Sequence, residues 1–101
     1  MKHIDLPAAG DSARLRLTID AMNALHDAFG EGYINNTLQR LNLMDPKCLK
    51  LCVEKMLVDA DEGVTLARLV EKMTVSELAV AIADALWLAV HGKKLTDAAD
   101  E

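Results

Sequence analysis

Two cysteines, Cys48 and Cys52, and two histidines, His26 and His91, carry the strongest metal and nucleophile chemistry in this chain. Together they offer four ligands. A tetrahedral zinc site, however, is normally built from two tight ligand pairs, and only the cysteines form one here. Four residues apart on a helix, their side chains run up one side, a poor geometry for a disulfide. They read as small buried hydrophobes.

Other candidate groups have structural explanations. His26 and Asp27 are adjacent, so on a helix they diverge and make no dyad. Asp59, Asp61 and Glu62 lack the ligand spacing of a twelve-residue calcium loop, and read as solvated helix-end charges. Ser12 falls in a turn and Ser76 in a capping box, and neither sits in a nucleophile elbow. Glycines at 10, 30, 32, 63 and 92 are too scattered for a phosphate loop. No set of residues fills the geometric roles of a catalytic site, so we expect no enzyme, no cofactor and no metal.

The elements that would position any site are mainly helical. The chain has 101 residues, enough for one small domain. It contains 16 Leu and 15 Ala but only three aromatics, a balance that favours helices over sheets. The fold class expected is a small bundle of about five helices with an N-terminal β-hairpin. A single domain is expected over 1–95, with the hairpin at 3–19, helices over 20–92 and a flexible acidic tail at 96–101.

The hairpin rests on two alternating stretches, His3-Ile4-Asp5-Leu6 and Arg14-Leu15-Arg16-Leu17-Thr18-Ile19, around the turn residues Ala8 to Ser12. Pro7 cannot donate a ladder bond, so the first strand should be an edge or end there. Helix one is expected from Ala21 to Phe29, with Asp20 as N-cap and Gly30 as stop. Helix two is expected from Tyr33 to Asn42. Asp45-Pro46 opens helix three, which is expected to run to Ala60. A short helix over Leu66 to Lys72 follows Thr65. Thr74-Val75-Ser76-Glu77 matches a capping box and opens a last helix from Val75 to His91, stopped by Gly92.

The last helix is apolar almost all round. Val75, Leu78, Ile82, Ala85, Leu86 and Ala89 form one stripe. Ala79, Val80, Ala83, Trp87 and Val90 form a second, nearly opposite, leaving Glu77, Asp84 and His91 as a narrow polar strip. Such a helix is either the centre of the bundle or shares one side with another chain. On helix three, Leu51 and Val58 lie opposite the main stripe of Leu49, Cys52, Val53, Met56, Leu57 and Ala60. Trp87, Val80, Ala83, Val90, Leu51 and Val58 are therefore the candidate partner-binding residues.

Net charge is −5, from 11 Lys+Arg and 16 Asp+Glu. That argues against nucleic acid and against an anionic membrane surface as partners. The longest apolar run, Leu78 to Val90, contains Asp84 and falls short of the roughly 20 residues of a spanning helix. The start of the chain has no stretch suited to a secretory signal, so a soluble, cytoplasmic protein is expected.

Leu15-Arg16-Leu17-Thr18-Ile19-Asp20, followed by Ala24-Leu25-His26-Asp27-Ala28-Phe29-Gly30, resembles the opening of small tail assembly chaperone-type proteins of tailed phages and gene transfer agents. Cys48 to Leu57, the segment Val64 to Val70, and Thr74-Val75-Ser76-Glu77-Leu78 through Val90 resemble the later helices of that family. The resemblance implies a chaperone without catalysis that binds the tape measure protein while the tail tube assembles in the cytoplasm of a bacterial host. The alternative, from the apolar surplus alone, is a small helical adaptor or regulatory module that dimerises through its last helix. Either reading makes the partner a protein, with a homo-oligomer possible.

Overall fold

A computed structural model describes residues 3–96 of the chain. Five α-helices pack with a small antiparallel sheet, as the Leu- and Ala-rich composition requires. The radius of gyration, 12.5 Å, is that of one compact domain of about 100 residues. Beyond Thr96, the expected acidic tail lies outside the described residues.

The sheet is the hairpin plus one strand that sequence periodicity did not separate from a helix. Strand β1 (Ile4–Asp5) and strand β2 (Arg14–Leu15) pair antiparallel, Ile4 opposite Leu15. Both are shorter than the alternation suggested. Pro7 starts a 3-10 turn, Pro7–Ala9, in place of more strand. Helix α1 (Ile19–Phe29) begins two residues earlier than expected, because its N-cap is Thr18 rather than Asp20. The Thr18 hydroxyl accepts from the Ala21 amide at 3.1 Å, which satisfies one orphan donor of the first turn. Asp20 instead sits inside that turn, where its charge suits the helix dipole.

Helices α2 (Tyr33–Asn42) and α3 (Pro46–Met56) start where their signals place them. Asp45 caps α3 through the Lys47 amide at 3.1 Å, with Pro46 at the first position. The expected run of α3 to Ala60 is corrected: the helix stops at Met56, and Leu57–Val58 is strand β3. β3 pairs with β2, Leu57 opposite Leu15 and Val58 opposite Arg14. The order β1-β2-β3 puts β2 in the middle. Helical spacing of Leu57 and Ala60 was therefore misleading, since tertiary pairing with β2 overrides local periodicity. Asp59 takes a positive φ of 56° just past β3, and Arg14 forms a salt bridge with it.

Helix α4 (Leu66–Leu69) is shorter than the Leu66 to Lys72 expected, with Thr65 as its N-cap. Helix α5 (Val75–His91) has both halves of its capping box. The Thr74 hydroxyl accepts from the Glu77 amide at 3.0 Å, and Glu77 accepts from the Thr74 amide at 3.2 Å. Gly92 closes α5 in the left-handed region. Leu78, Ile82 and Leu86 of α5 join Leu15, Leu25, Leu41, Met56 and Leu69 in the fully buried core. α5 packs across both α2 and the β1–β2 hairpin, so apolar residues are needed on more than one of its sides.

Gly10 is the tightest backbone point. Its φ is 137°, and an added Cβ would sit 2.7 Å from the Asp61 carboxylate. The Asp61 amide donates to the Ala9 carbonyl at 2.9 Å, which clamps the hairpin turn to the loop after β3. Gly63 also has positive φ, 76°, but open space around it. We expect Gly10→Ala to destabilise the fold by about 3 kcal/mol in urea denaturation and Gly63→Ala by about 1 kcal/mol, since Gly10, at φ 137° and ψ 160°, holds a backbone conformation essentially closed to other residues, whereas Gly63 at φ 76° does not lie so far from the left-handed region they can enter.

Candidate functional site

The structure separates the residues with metal and nucleophile chemistry. His26 is exposed, its ring edge-on to Tyr33 at 5.8 Å. His91 lies against Trp87, ring centroids 4.1 Å apart. Cys48 and Cys52 are free and buried on α3. Among the described residues no three His, Cys, Asp or Glu side chains cluster so as to hold a metal ion.

The two thiols are neighbours one turn apart. Cys52 donates to Cys48, which holds the Cys48 pKa below its ordinary value and pushes that of Cys52 up; burial raises Cys52 further. Cys48 in turn lies 3.9 Å from the Thr37 carbonyl as a weak donor. The pair joins α3 to α2.

What the fold does build is an open apolar groove. Its volume is about 900 Å³. One wall is α3, through Leu49, Lys50, Val53 and Glu54. Leu57 of β3 and the loop residues Ala60 and Val64 continue it, and α4 forms the other wall through Leu66 and Ala67. Val70, Val75, Met44 and Pro46 complete the rim. Only Lys50, Glu54 and Thr65 among its lining residues are polar, and all three are exposed. Small-molecule sites combine an apolar lining with convergent polar groups that fix orientation. Here the polar groups stand at the mouth, so the groove can select for apolar shape and little else.

The groove exists because of two chain reversals. Met44, at a positive φ of 55°, turns the chain from α2 into α3 and projects at one end. Termination of α3 at Met56 frees residues 59–65 to loop out and bring α4 opposite α3. Leu69 anchors α4 in the core, while Val70 beside it stays 39% exposed.

A second, narrower slot of about 190 Å³ lies along the seam of α2 and α5. Leu38 and Leu41 face Ala79, Val80 and Ala83 there, and Leu95 and Met44 also line it. Met44 thus borders both cavities.

The partner-binding residues expected from sequence are placed unequally. Val80 and Ala83 line the slot, although Ala83 is itself buried. Val80 and Val90 are exposed, at 47% and 50%. Trp87 is half-buried against His91, and its Nε1 is buried without a hydrogen-bond partner. Leu51 is half-buried against the core. Val58 lies in β3 rather than on a helix face, and is half-buried. None of the six lines the larger groove. The missed groove residues carried one signal, apolar Val64, Leu66, Val70 and Val75 in and around a helix too short to bury them all.

Comparison of the chain with protein-family models, curated proteins and solved structures returns no match. No helix among the described residues is long and apolar enough to cross a membrane.

The thiols give a direct check of this geometry. Because both are buried and Cys52 is held protonated, a thiol reagent should label neither in the native protein and both in denaturant. Raising the pH to the ordinary thiol pKa of about 8.5 should leave Cys52 unlabelled. Rapid stoichiometric labelling of the folded chain would contradict the burial described.

Proposed function

We propose that this protein is a non-enzymatic tail assembly chaperone of a tailed phage or gene transfer agent, and that it binds a helical segment of the tape measure protein in the groove between α3 and α4. The open apolar groove is the observation that carries the reading. A volume of about 900 Å³ is roughly that of two turns of a helix about 10 Å across. An amphipathic client helix would lay its i, i+3, i+4 and i+7 side chains into such a groove. Its polar face would remain in water beside Lys50 and Glu54. The net charge of −5 keeps a carrier with an open apolar surface dispersed.

Val80 and Val90 support a second reading, a helical module that dimerises through α5. They are large apolar residues left exposed on one helix.

Co-expression with a tape measure protein from the same genome should give a soluble complex that elutes together. Ala67→Glu combined with Val70→Glu places two charges on the groove wall at exposed positions. It should weaken the client by at least about tenfold, roughly 1.4 kcal/mol, while changing stability by under about 0.5 kcal/mol. An insoluble client, or an undiminished complex with the double variant, overturns the groove assignment. Val90→Glu, outside both cavities, separates the two readings by sedimentation: a dimer through α5 dissociates, whereas client capture in the groove is retained.

A further inference from the structure

The chain after α5 does not leave the molecule. Gly92, in the left-handed region, reverses it, and residues 93–96 return along α5 as far as Asp84. Asp84 is buried, and its carboxylate takes two hydrogen bonds from one residue. The Thr96 amide donates to Oδ1 at 3.1 Å and the Thr96 hydroxyl to Oδ2 at 3.3 Å. Leu95, just before, is half-buried and lines the slot between α2 and α5. The polar strip of α5 therefore serves as a docking point for the chain's own C-terminal side.

We propose that residues 93–96 are an intramolecular latch, which seats Leu95 on the α2–α5 slot and opens to let an apolar client side chain take its place. The proposal rests on the reading of the neighbouring groove as a helical-client site, since Met44 borders both cavities and makes them one apolar track. Leu95 packs against the core as one apolar wall of the slot, with Leu38, Ala79 and Ala83 among the other lining residues, so the slot suits an aliphatic side chain. The Thr96 hydrogen bonds to Asp84 are only part-buried, so water can replace the Thr96 donors on Asp84 when the latch lifts. Opening then regulates the track by mass action. A latch closed in nine molecules of ten weakens any ligand that needs the slot free by about tenfold.

Two measurements on the full chain test this. In the unaltered protein the Thr96 amide should exchange hydrogen at least about tenfold more slowly than an unstructured amide, yet faster than the amides of α5 around Ile82. Exchange at the unstructured rate means that no latch forms, and exchange as slow as Ile82 means that it never opens; either overturns the proposal. Leu95→Ala with Thr96→Val removes the apolar wall and the hydroxyl donor from a partly exposed strap, and circular dichroism checks that the helices persist. That variant should bind the apolar dye anilinonaphthalene sulfonate about tenfold more tightly. Unchanged dye affinity with the helices intact reduces the contact to a fixed tie and overturns the proposal. The dye needs no client. Failure of tape measure capture alongside a positive dye result therefore rejects the groove reading alone.

Discussion

The middle strand β2 is the constraint on which the rest depends. Arg14 and Leu15 pair on one side with β1 and on the other with Leu57 and Val58. Leu15 is fully buried, and the Arg16 amide donates to the Met56 carbonyl at 2.9 Å. The Leu57 amide still closes the last turn of α3 onto the Val53 carbonyl, but the Met56 carbonyl and the strand beyond it are taken into the ladder, so the helix cannot continue. The end of α3 is thus set by residues more than forty positions earlier. Once α3 ends there, the following loop must travel outward before α4 can return, and the space between the two helices is the groove.

That dependence explains which parts of the fold were legible in the sequence. Starts governed by local chemistry were readable: Asp45-Pro46 for α3, Thr65 for α4 and the Thr74–Glu77 box for α5 each satisfy orphan amides within one turn. The start of α1 was less so, because Thr18 and Asp20 are both competent caps and only the position of Leu17 in the core decides between them. β3 was not readable. Leu57 and Ala60 continue the spacing of Leu49, Val53 and Met56, and two residues are too few to show alternation. A pairing partner outside the local window decided the matter.

The same reasoning applies to the sites. The two stripes of α5 were visible, but their different fates were not. Ala79 and Ala83 are small, so that side of α5 approaches α2 closely and is buried, while Val80, next along the chain, is left in solvent. The larger groove draws on the α2–α3 turn, one face of α3, β3, α4 and the first residue of α5. No single segment shows a second apolar face from which it could be inferred. Leu49 and Val53 look like ordinary core on their own helix, and they are largely buried. It is the absence of a longer α4 over them that leaves an opening.

Apolar surface left open this way normally promotes association, unless geometry or charge opposes it. Both operate here. The groove is concave, so a flat surface of a second molecule cannot reach Leu57 or Val53, whereas a narrow helix can. The residues that project are dispersed: Ile19 at the start of α1, Leu43 and Met44 at one turn, Val70 and Val75 on either side of another, and Val80 and Val90 along α5. Exposed Glu54, Glu62 and Glu71 lie in the same part of the chain, on α3 and around α4. Lys47, Lys50, Lys55, Arg68 and Lys72 are exposed in the same stretch, so charge around the groove is mixed, and it is the net charge of −5 over the whole chain that opposes association. Shape at the groove and net charge over the whole molecule therefore act together against flat self-association of this apolar surface.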